Sequence, residues 1–264
     1  MSHLIAGQAD VFSNARHKIY PSLDVLQVAN APIFRAAGWE ARERAYDVPP
    51  KGEGKNPERA VEVSRARAKR AVKDIALCNH FDYFFTWTLD KKLIDRYDAD
   101  EVKRKLVTYL KNASHRKEFA YVLLPERHKD GAIHFHGLCK VGSFRLERAC
   151  SPYTGEPLFS PTDRPLYNMP EWKWGFSSCC PIDDNYERAV NYVVKYLTKD
   201  SEKIFGKWYL SSRNLVKRPD IKLVSGGMDY YAFANEHQDC SPIPLYNDVK
   251  LISCSLSEKG GIAV

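Results

Sequence analysis

The sequence predicts an α+β fold, because stretches with the residue pattern of strands and stretches with the pattern of helices both occur along it. Tyr83–Asp90 is rich in aromatic and β-branched residues and alternates from Phe85 onward, which is typical of a half-buried strand. Phe119–Leu124 and Ala132–Leu138 are apolar runs on either side of a charged loop, which indicates a β-hairpin. Asn185–Thr198 carries its apolar and aromatic residues at helical spacing.

Two further helices are predicted upstream of the hairpin. Ala99–Lys111 has apolar residues at helical spacing behind Asp98, which is a preferred N-cap residue with Glu101 three positions on. Pro57–Leu77 has apolar residues roughly along one side, namely Ala60, Val61, Val63, Ala68, Val72 and Ile75. The rest of this helix is basic, and it is either an ordinary solvated face or a surface that follows DNA phosphates: Arg59, Arg65, Arg67, Lys69, Arg70 and Lys73.

Four shorter segments complete the predicted elements. Residues 150–170 are rich in Pro, Ser and Tyr, and they are interpreted as a long surface loop. Trp172–Phe176 is interpreted as a strand, and Lys207–Ser211 and Met228–Ala234 as two short strands.

We expect the chain to fold around one main core, with extensions at both ends. Residues 1–56 form an N-terminal extension in this interpretation, and it ends in the Pro- and Gly-rich linker Val48–Pro57. Residues 57–240 form one domain whose functional core spans 80–200. Residues 241–264 are polar and contain Gly, so a partly disordered tail is expected there.

The composition limits the class of protein. The 264 residues are 44% hydrophobic and 12% aromatic, which is typical of a globular chain rather than a disordered one. The chain has no apolar stretch of membrane-spanning length and no leader pattern, so a cytoplasmic protein without membrane partners is expected. The net charge of +7 favours a polyanionic partner. The seven cysteines show no CxxC pair or known framework, so we interpret them as reduced thiols.

His134 and His136 are candidate metal ligands. They lie in the apolar run Ala132–Leu138, and the period of two along a strand places both imidazoles on one face, with Phe135 on the other. Two neighbouring imidazoles form half of a metal site, although a lone pair of this kind is more often structural.

Glu126 is the candidate third ligand, provided that the hairpin has one particular register. If Lys129–Gly131 forms a three-residue loop, with Gly131 in the left-handed conformation that such loops favour, Glu126 lies opposite His134. A loop of two or four residues would place Glu126 on the other face. Two imidazoles and one carboxylate with open positions suit a catalytic Mg²⁺ or Mn²⁺.

The helix at 185–198 carries candidate nucleophiles. Tyr192 and Tyr196 are four residues apart, and so are Lys195 and Lys199, so each pair shares a helical face. An amphipathic helix can use tyrosines for packing and lysines for solvation. Alternatively, the phenols are nucleophiles, with nearby cations to favour their deprotonated form. We expect Tyr192 to act first, because it heads the motif and is followed by both lysines.

Three motifs in order resemble those of rolling-circle replication initiators of the His-hydrophobic-His (HUH) endonuclease superfamily. The likeness is greatest to the two-tyrosine type of single-stranded DNA phages and related plasmids or prophages, and it covers about residues 80 to 200. The motifs are Phe85-Thr86-Trp87-Thr88-Leu89-Asp90, then Glu126 with His134-Phe135-His136, then Tyr192-x-x-Lys195-Tyr196-x-x-Lys199.

The resemblance implies a central antiparallel sheet flanked by helices, of the RRM or ferredoxin-like kind, with the metal site on one face and the tyrosine helix beside it. It also implies a reaction in which a tyrosine attacks a phosphate of origin single-stranded DNA, releases a 3′-hydroxyl and keeps a 5′-phosphotyrosine. Because the sequence has no Walker motif, a host helicase and a host polymerase are the expected partners.

Two other functions remain open at this stage. A histidine phosphoesterase would need a third alternating His or a second H-x-[ST] pair, but position 138 is Leu and no second pair is found. A non-catalytic nucleic-acid-binding regulator would explain the basic charge and the aromatic strands, with His134 and His136 used only for packing.

Overall fold

The computed structural model describes residues 12–35, 56–183, 185–198, 201–245 and 248–256. Their helices, in chain order, are α1 (Pro57–Asn79), α2 (Ala99–Lys117), α3 (Tyr186–Val194) and α4 (Tyr230–Glu236). Their strands are β1 (Phe12–Ser13), β2 (Ala15–Ile19), β3 (Asp24–Ala29), β4 (Phe34–Arg35), β5 (Tyr83–Leu89), β6 (Ala120–Arg127), β7 (Ile133–Lys140), β8 (Glu147–Arg148), β9 (Tyr167–Asn168), β10 (Gly175–Pro181), β11 (Leu210–Ser211), β12 (Asp220–Leu223), β13 (Ile243–Pro244) and β14 (Lys250–Leu256). In these ranges, no helix is long and apolar enough to cross a membrane.

The chain divides into two compact units. The larger unit is Gly52–Arg218, and the smaller unit combines Met1–Lys51 with Pro219–Val264. The two main sheets, of seven and five strands, are built from antiparallel ladders. The predicted α+β class, with an antiparallel sheet flanked by helices, is therefore confirmed.

The sheet of the larger unit has the strand order β11-β6-β7-β5-β10-β9-β8. One of its faces packs against α2, in a core that includes Trp87, Phe135 and Leu106. The other face packs against α1 and α3, in a core that includes Leu138 and Val193. Alternation along β5 separates the faces, because successive side chains of a strand point to opposite sides.

The predicted strand at 83–90 and the predicted hairpin are present as β5, β6 and β7. Helix α2 begins at the predicted position, where the Asp98 carboxylate accepts hydrogen bonds from the amides of Asp100 and Glu101. It runs to Lys117, six residues beyond the predicted end, because Ala113 continues the buried stripe. Helix α1 also exists, but Val61 and Val63 are 45% and 41% exposed, so its apolar stripe is buried only from Ala68 onward.

The region between β7 and α3 differs from the prediction. Residues 150–170 lie outside long strands and are held by short bridges such as Cys150 with Pro157, followed by β9. The strand expected at 172–176 begins instead at Gly175 and runs to Pro181. Trp172 lies before it in the core and stacks on Trp87 at 4.4 Å, so aromatic content there reflects core packing rather than a strand. The strand expected at 207–211 is only Leu210–Ser211.

The smaller unit joins strands from the two ends of the chain, in the order β12-β2-β3-β14-β13. Residues 219–240, which the sequence analysis includes in the domain 57–240, contribute β12 and α4 to this unit. The tail that is expected to be partly disordered contributes β13 and β14. The predicted linker at 48–57 lies mostly outside the described residues; Asn56, at its end, caps α1.

Two predictions in the smaller unit are wrong. The segment 228–234 is not a strand, because the Asp229 carboxylate accepts hydrogen bonds from the amides of Tyr231 and Ala232 and thereby starts α4. This cap outweighs the strand propensity of the aromatic residues that follow it. Cys240 and Cys254 are not free thiols but form a disulfide between residues 14 positions apart.

Candidate metal and tyrosine site

The hairpin of β6 and β7 has the register that the sequence predicts. The amide of His128 donates to the carbonyl of Ala132 at 2.8 Å, and Gly131 adopts a φ of +86°. Glu126 pairs with His134 in the ladder. Because paired residues of an antiparallel ladder share a face, Glu126, His134 and His136 lie on the same face, the one that packs against α1 and α3.

Two threonines of β5 hold the imidazoles from the neighbouring strand. Thr86 pairs with His136 and Thr88 with His134. The Thr86 hydroxyl lies 3.1 Å from Nδ1 of His136, and the Thr88 hydroxyl lies 3.5 Å from Nδ1 of His134. With both Nδ1 atoms facing threonines, the Nε2 atoms face away from β5 and are the atoms available to a ligand. Sequence analysis placed this strand but missed the role of its threonines.

Glu126 contacts the available atom of one histidine. Its Oε2 lies 3.0 Å from Nε2 of His136, whose side chain is 12% exposed. With the side chains in these positions, the described part of the chain has no group of three or more His, Cys, Asp or Glu residues arranged to hold a metal ion. The donor set itself fits a divalent cation, since two oriented imidazoles and a carboxylate converge on one face. Glu126 would have to leave the His136 ring for this site to close.

His128 is a further member of the site that sequence analysis used only to define the register. It follows Glu126 by two residues, so it lies on the same face of β6. Its ring stacks on that of His134 with the centroids 5.0 Å apart. Burial lowers the pKa of His134 below the ordinary value, and the His128 and His136 imidazoles lower it further. The neutral, ligand-competent form of His134 is therefore favoured.

The tyrosine helix is shorter than predicted, and this changes how the two phenols meet. Helix α3 starts at the predicted Asn185 cap but ends at Val194, and the chain continues through tighter bonds such as Tyr196 amide to Val193 carbonyl. Tyr196 therefore lies beyond the α-helix rather than one helical turn above Tyr192. The two hydroxyls still come within 3.1 Å of each other.

Tyr196 is the phenol in direct contact with the candidate ligands. Its ring stacks on the His136 imidazole, with the centroids 3.7 Å apart and the planes inclined by 11°. Phe84 of β5 packs its ring against both Tyr192 and Tyr196, at 5.2 and 6.4 Å. Phe84 was not singled out from the sequence, although its position two residues before Thr86 places it on this face.

The two tyrosines have different electrostatic environments. Burial raises the pKa of Tyr196, and the hydrogen bond that it donates to the Tyr192 oxygen raises it further. The Tyr192 side chain is 47% exposed, and the ammonium of Lys195 lies 6.0 Å from the centre of its ring. Lys199, the second predicted cation, lies outside the described residues.

Comparison with known families concerns the same part of the chain. Residues 82–201 match a family model described as replication-associated protein ORF2. No curated protein and no solved structure matches the chain. The matched segment contains the hairpin with both histidines and Glu126, the threonines of β5 and the two tyrosines. The match supports a replication initiator family for this segment.

Proposed function

We propose that the chain initiates DNA replication by nicking and rejoining single-stranded DNA at an origin, with a tyrosine as the nucleophile. One observation carries the proposal most directly: the Tyr196 ring is stacked on His136, within the segment that matches a replication-associated family. This contact brings the tyrosine pair to the same face as Glu126 and His134. Packing alone does not require two phenols, two imidazoles and a carboxylate to meet in one place.

His134, His136 and Glu126 are the residues that would hold a divalent cation. A bound Mg²⁺ or Mn²⁺ would supply Lewis-acid polarisation of a phosphate oxygen, which makes the phosphorus more electrophilic. Thr86 and Thr88 contribute by holding the rings, because a ligand that is already oriented loses less conformational freedom on binding.

Transfer would proceed by exchange of one phosphodiester for another. The tyrosine oxygen forms a bond to phosphorus as the bond from phosphorus to the 3′-oxygen breaks. The phenol proton passes to water, and the departing 3′-oxygen takes up a proton from water. The product is a 5′-phosphotyrosine and a free 3′-hydroxyl that can prime synthesis by a host polymerase, after strand separation by a host helicase. Since the phosphodiester energy is retained, the second tyrosine can later rejoin a strand.

The geometry favours Tyr192 as the first nucleophile. Tyr196 donates its hydroxyl hydrogen to the Tyr192 oxygen, and a donor aimed at that oxygen stabilises the phenolate that attacks. The nearby ammonium of Lys195 acts in the same direction. Lys199 is proposed as a second cation on the strength of the motif alone.

The proposal predicts a covalent adduct with single-stranded DNA from the gene's own replicon in the presence of Mn²⁺. The wild-type chain should form the adduct, and the double variant Tyr192→Phe with Tyr196→Phe should form none while still binding DNA, because only the nucleophilic oxygens are removed. Tyr192→Phe alone should slow the first cleavage more than Tyr196→Phe does. Adducts are resolved on a denaturing gel, and the modified tyrosine is identified by peptide mass.

Tyr153→Phe is the matched control, since it removes a phenol that is 95% exposed in the 150–157 loop. It should leave the yield of adduct unchanged. An adduct formed by the double variant would refute this assignment of the nucleophiles. Undiminished cleavage in excess chelator would refute the role of a cation. DNA binding with neither adduct nor hydrolysis under any metal condition would indicate the regulator, whereas hydrolysis of small phosphodiesters without an adduct would indicate a phosphoesterase.

A further inference from the structure

An in-register row of side chains crosses the sheet from the candidate site to an exposed phenylalanine. Glu126 pairs with His134, His134 with Thr88, and Thr88 with Phe176 of β10. Paired residues share a face, so Phe176 lies on the same face as the candidate ligands. Two spacings between neighbouring strands separate β10 from β7, which is about 10 Å.

Phe176 is unusually exposed for a phenylalanine in the middle strands of a sheet. Its side chain is 72% exposed, whereas Phe85 and Trp87 on the opposite face are fully buried. The neighbouring position on its own face is Ser178, which is half-buried. A single exposed apolar residue needs no explanation by itself. An exposed ring in register with candidate catalytic residues does require one.

The end of the sheet near Phe176 carries positive charge. The amide of Asp90 donates to the carbonyl of Trp174, so the chain segments after β5 and before β10 are joined there. Lys91 and Lys92 follow Asp90, Lys173 precedes Trp174, and all three lysines are exposed. The Asp90 carboxylate is engaged by the amide of Lys92. An aromatic ring beside several cations is the combination that binds bases and phosphates of an unpaired strand.

We infer that Phe176 stacks against a nucleobase of single-stranded DNA, close to the phosphate that reacts at the candidate site. This inference rests on the proposed function and deepens it, because it assigns the direction in which the strand leaves the site: across β5 toward β10. A base within a duplex has no free face for such stacking, so the contact selects unpaired DNA. Phe176 is thus a binding residue and takes no part in bond making.

The test is a binding measurement on the full chain without divalent metal, so that cleavage plays no part in it. Binding of dye-labelled single-stranded DNA is followed by fluorescence anisotropy for the wild type, Phe176→Ala, Phe176→Leu and Phe176→Trp. Loss of one stacking contact should raise Kd roughly 5- to 150-fold in Phe176→Ala. Phe176→Leu should lose most of this affinity because it keeps apolar area without a ring, and Phe176→Trp should retain it.

Single abasic positions in the oligonucleotide locate the contact. The wild type should lose affinity at one position near the cleavage site, and Phe176→Ala should show no further loss at that same position. Tyr153→Ala is the control for an exposed aromatic residue elsewhere in the larger unit, and it should bind as the wild type does. Equal Kd values for Phe176→Ala and the wild type would overturn the inference, and so would an equal penalty at every abasic position.

The outcome is separable from that of the proposed function. Loss of affinity in Phe176→Ala with the expected abasic pattern supports the stacking contact even if no adduct forms. Normal binding by Phe176→Ala in a chain that does form the adduct overturns the contact and leaves the nicking proposal intact. Because Phe176 is exposed, its substitution should leave the thermal unfolding of the larger unit unchanged, which is checked by circular dichroism.

Discussion

Thr86 and Thr88 show how single side chains can turn a strand pair of histidines into a ligand pair. A histidine on a strand face can direct either ring nitrogen outward. Here each Nδ1 faces a threonine hydroxyl on the paired strand, so the two Nε2 atoms are presented together. Trp87, between the two threonines, points to the opposite face and is fully buried in the core with α2. The same strand therefore serves the site and the core by alternation alone.

At the residue scale, we predict that His134 titrates below its ordinary pKa and that His128→Gln moves the pKa upward. Burial disfavours the charged ring, and removing the neighbouring imidazole relieves one repulsion. The sign for stability follows: because the folded state disfavours the charged form, the contribution of His134 is present above the unfolded pKa and is lost as the pH falls through it. NMR titration of the histidine ring protons measures both values. An unchanged pKa in His128→Gln would contradict the prediction.

At the scale of elements, local patterns sufficed where one turn residue or one cap controls the outcome. Gly131 set the hairpin register, and Asp98 set the start of α2. The same local reasoning failed at 228–234, where the Asp229 cap was overlooked in favour of the aromatic residues. It also overran the end of α3, because the change to tighter bonds after Val194 has no marker such as Gly or Pro in the sequence.

Helix α1 presents its basic residues on the side of the sheet where the candidate site lies, since α1 and α3 pack on that face. We predict that replacing Arg65, Lys69 and Lys73 together by Gln weakens binding to single-stranded DNA and flattens its salt dependence. Each phosphate contact to a single strand contributes about 0.7 to the slope of log K against log salt concentration, so three lost contacts should reduce it by about 2. Binding titrations over a range of salt concentrations give the slope.

The matched control for α1 is the triple Gln variant of Lys103, Arg104 and Lys111 on α2. These residues are exposed and carry the same total charge, but α2 packs on the opposite face of the sheet. This variant should lose little of the slope, because general attraction at long range changes equally in the two variants. Equal slopes for both triple variants would assign the basic residues of α1 to an ordinary solvated surface.

At the scale of the whole molecule, the two units have separate hydrophobic cores. The cores on the two faces of the seven-stranded sheet are built from residues of Gly52–Arg218. The cores around Val28 with Phe233 and around Phe34 with Leu251 are built from the two ends of the chain. The sequence did not reveal this division, because β14 pairs with β3 across more than 220 residues and no local pattern records so distant a partner.

We therefore predict that Phe233→Ala destabilises the smaller unit alone. Phe233 is 3% exposed in that core, and truncation of such a ring costs about 3 to 5 kcal/mol. Four of the five tryptophans lie in the larger unit, so in a Trp39→Phe background the fluorescence reports that unit only: Trp87, Trp172, Trp174 and Trp208. In urea, Phe233→Ala should leave the fluorescence transition in place, while the far-ultraviolet circular dichroism gains an earlier phase. Phe135→Ala, in a core of the larger unit, should move the fluorescence transition to lower urea. A shift of the fluorescence transition by Phe233→Ala would mean that the two units unfold together as one cooperative structure.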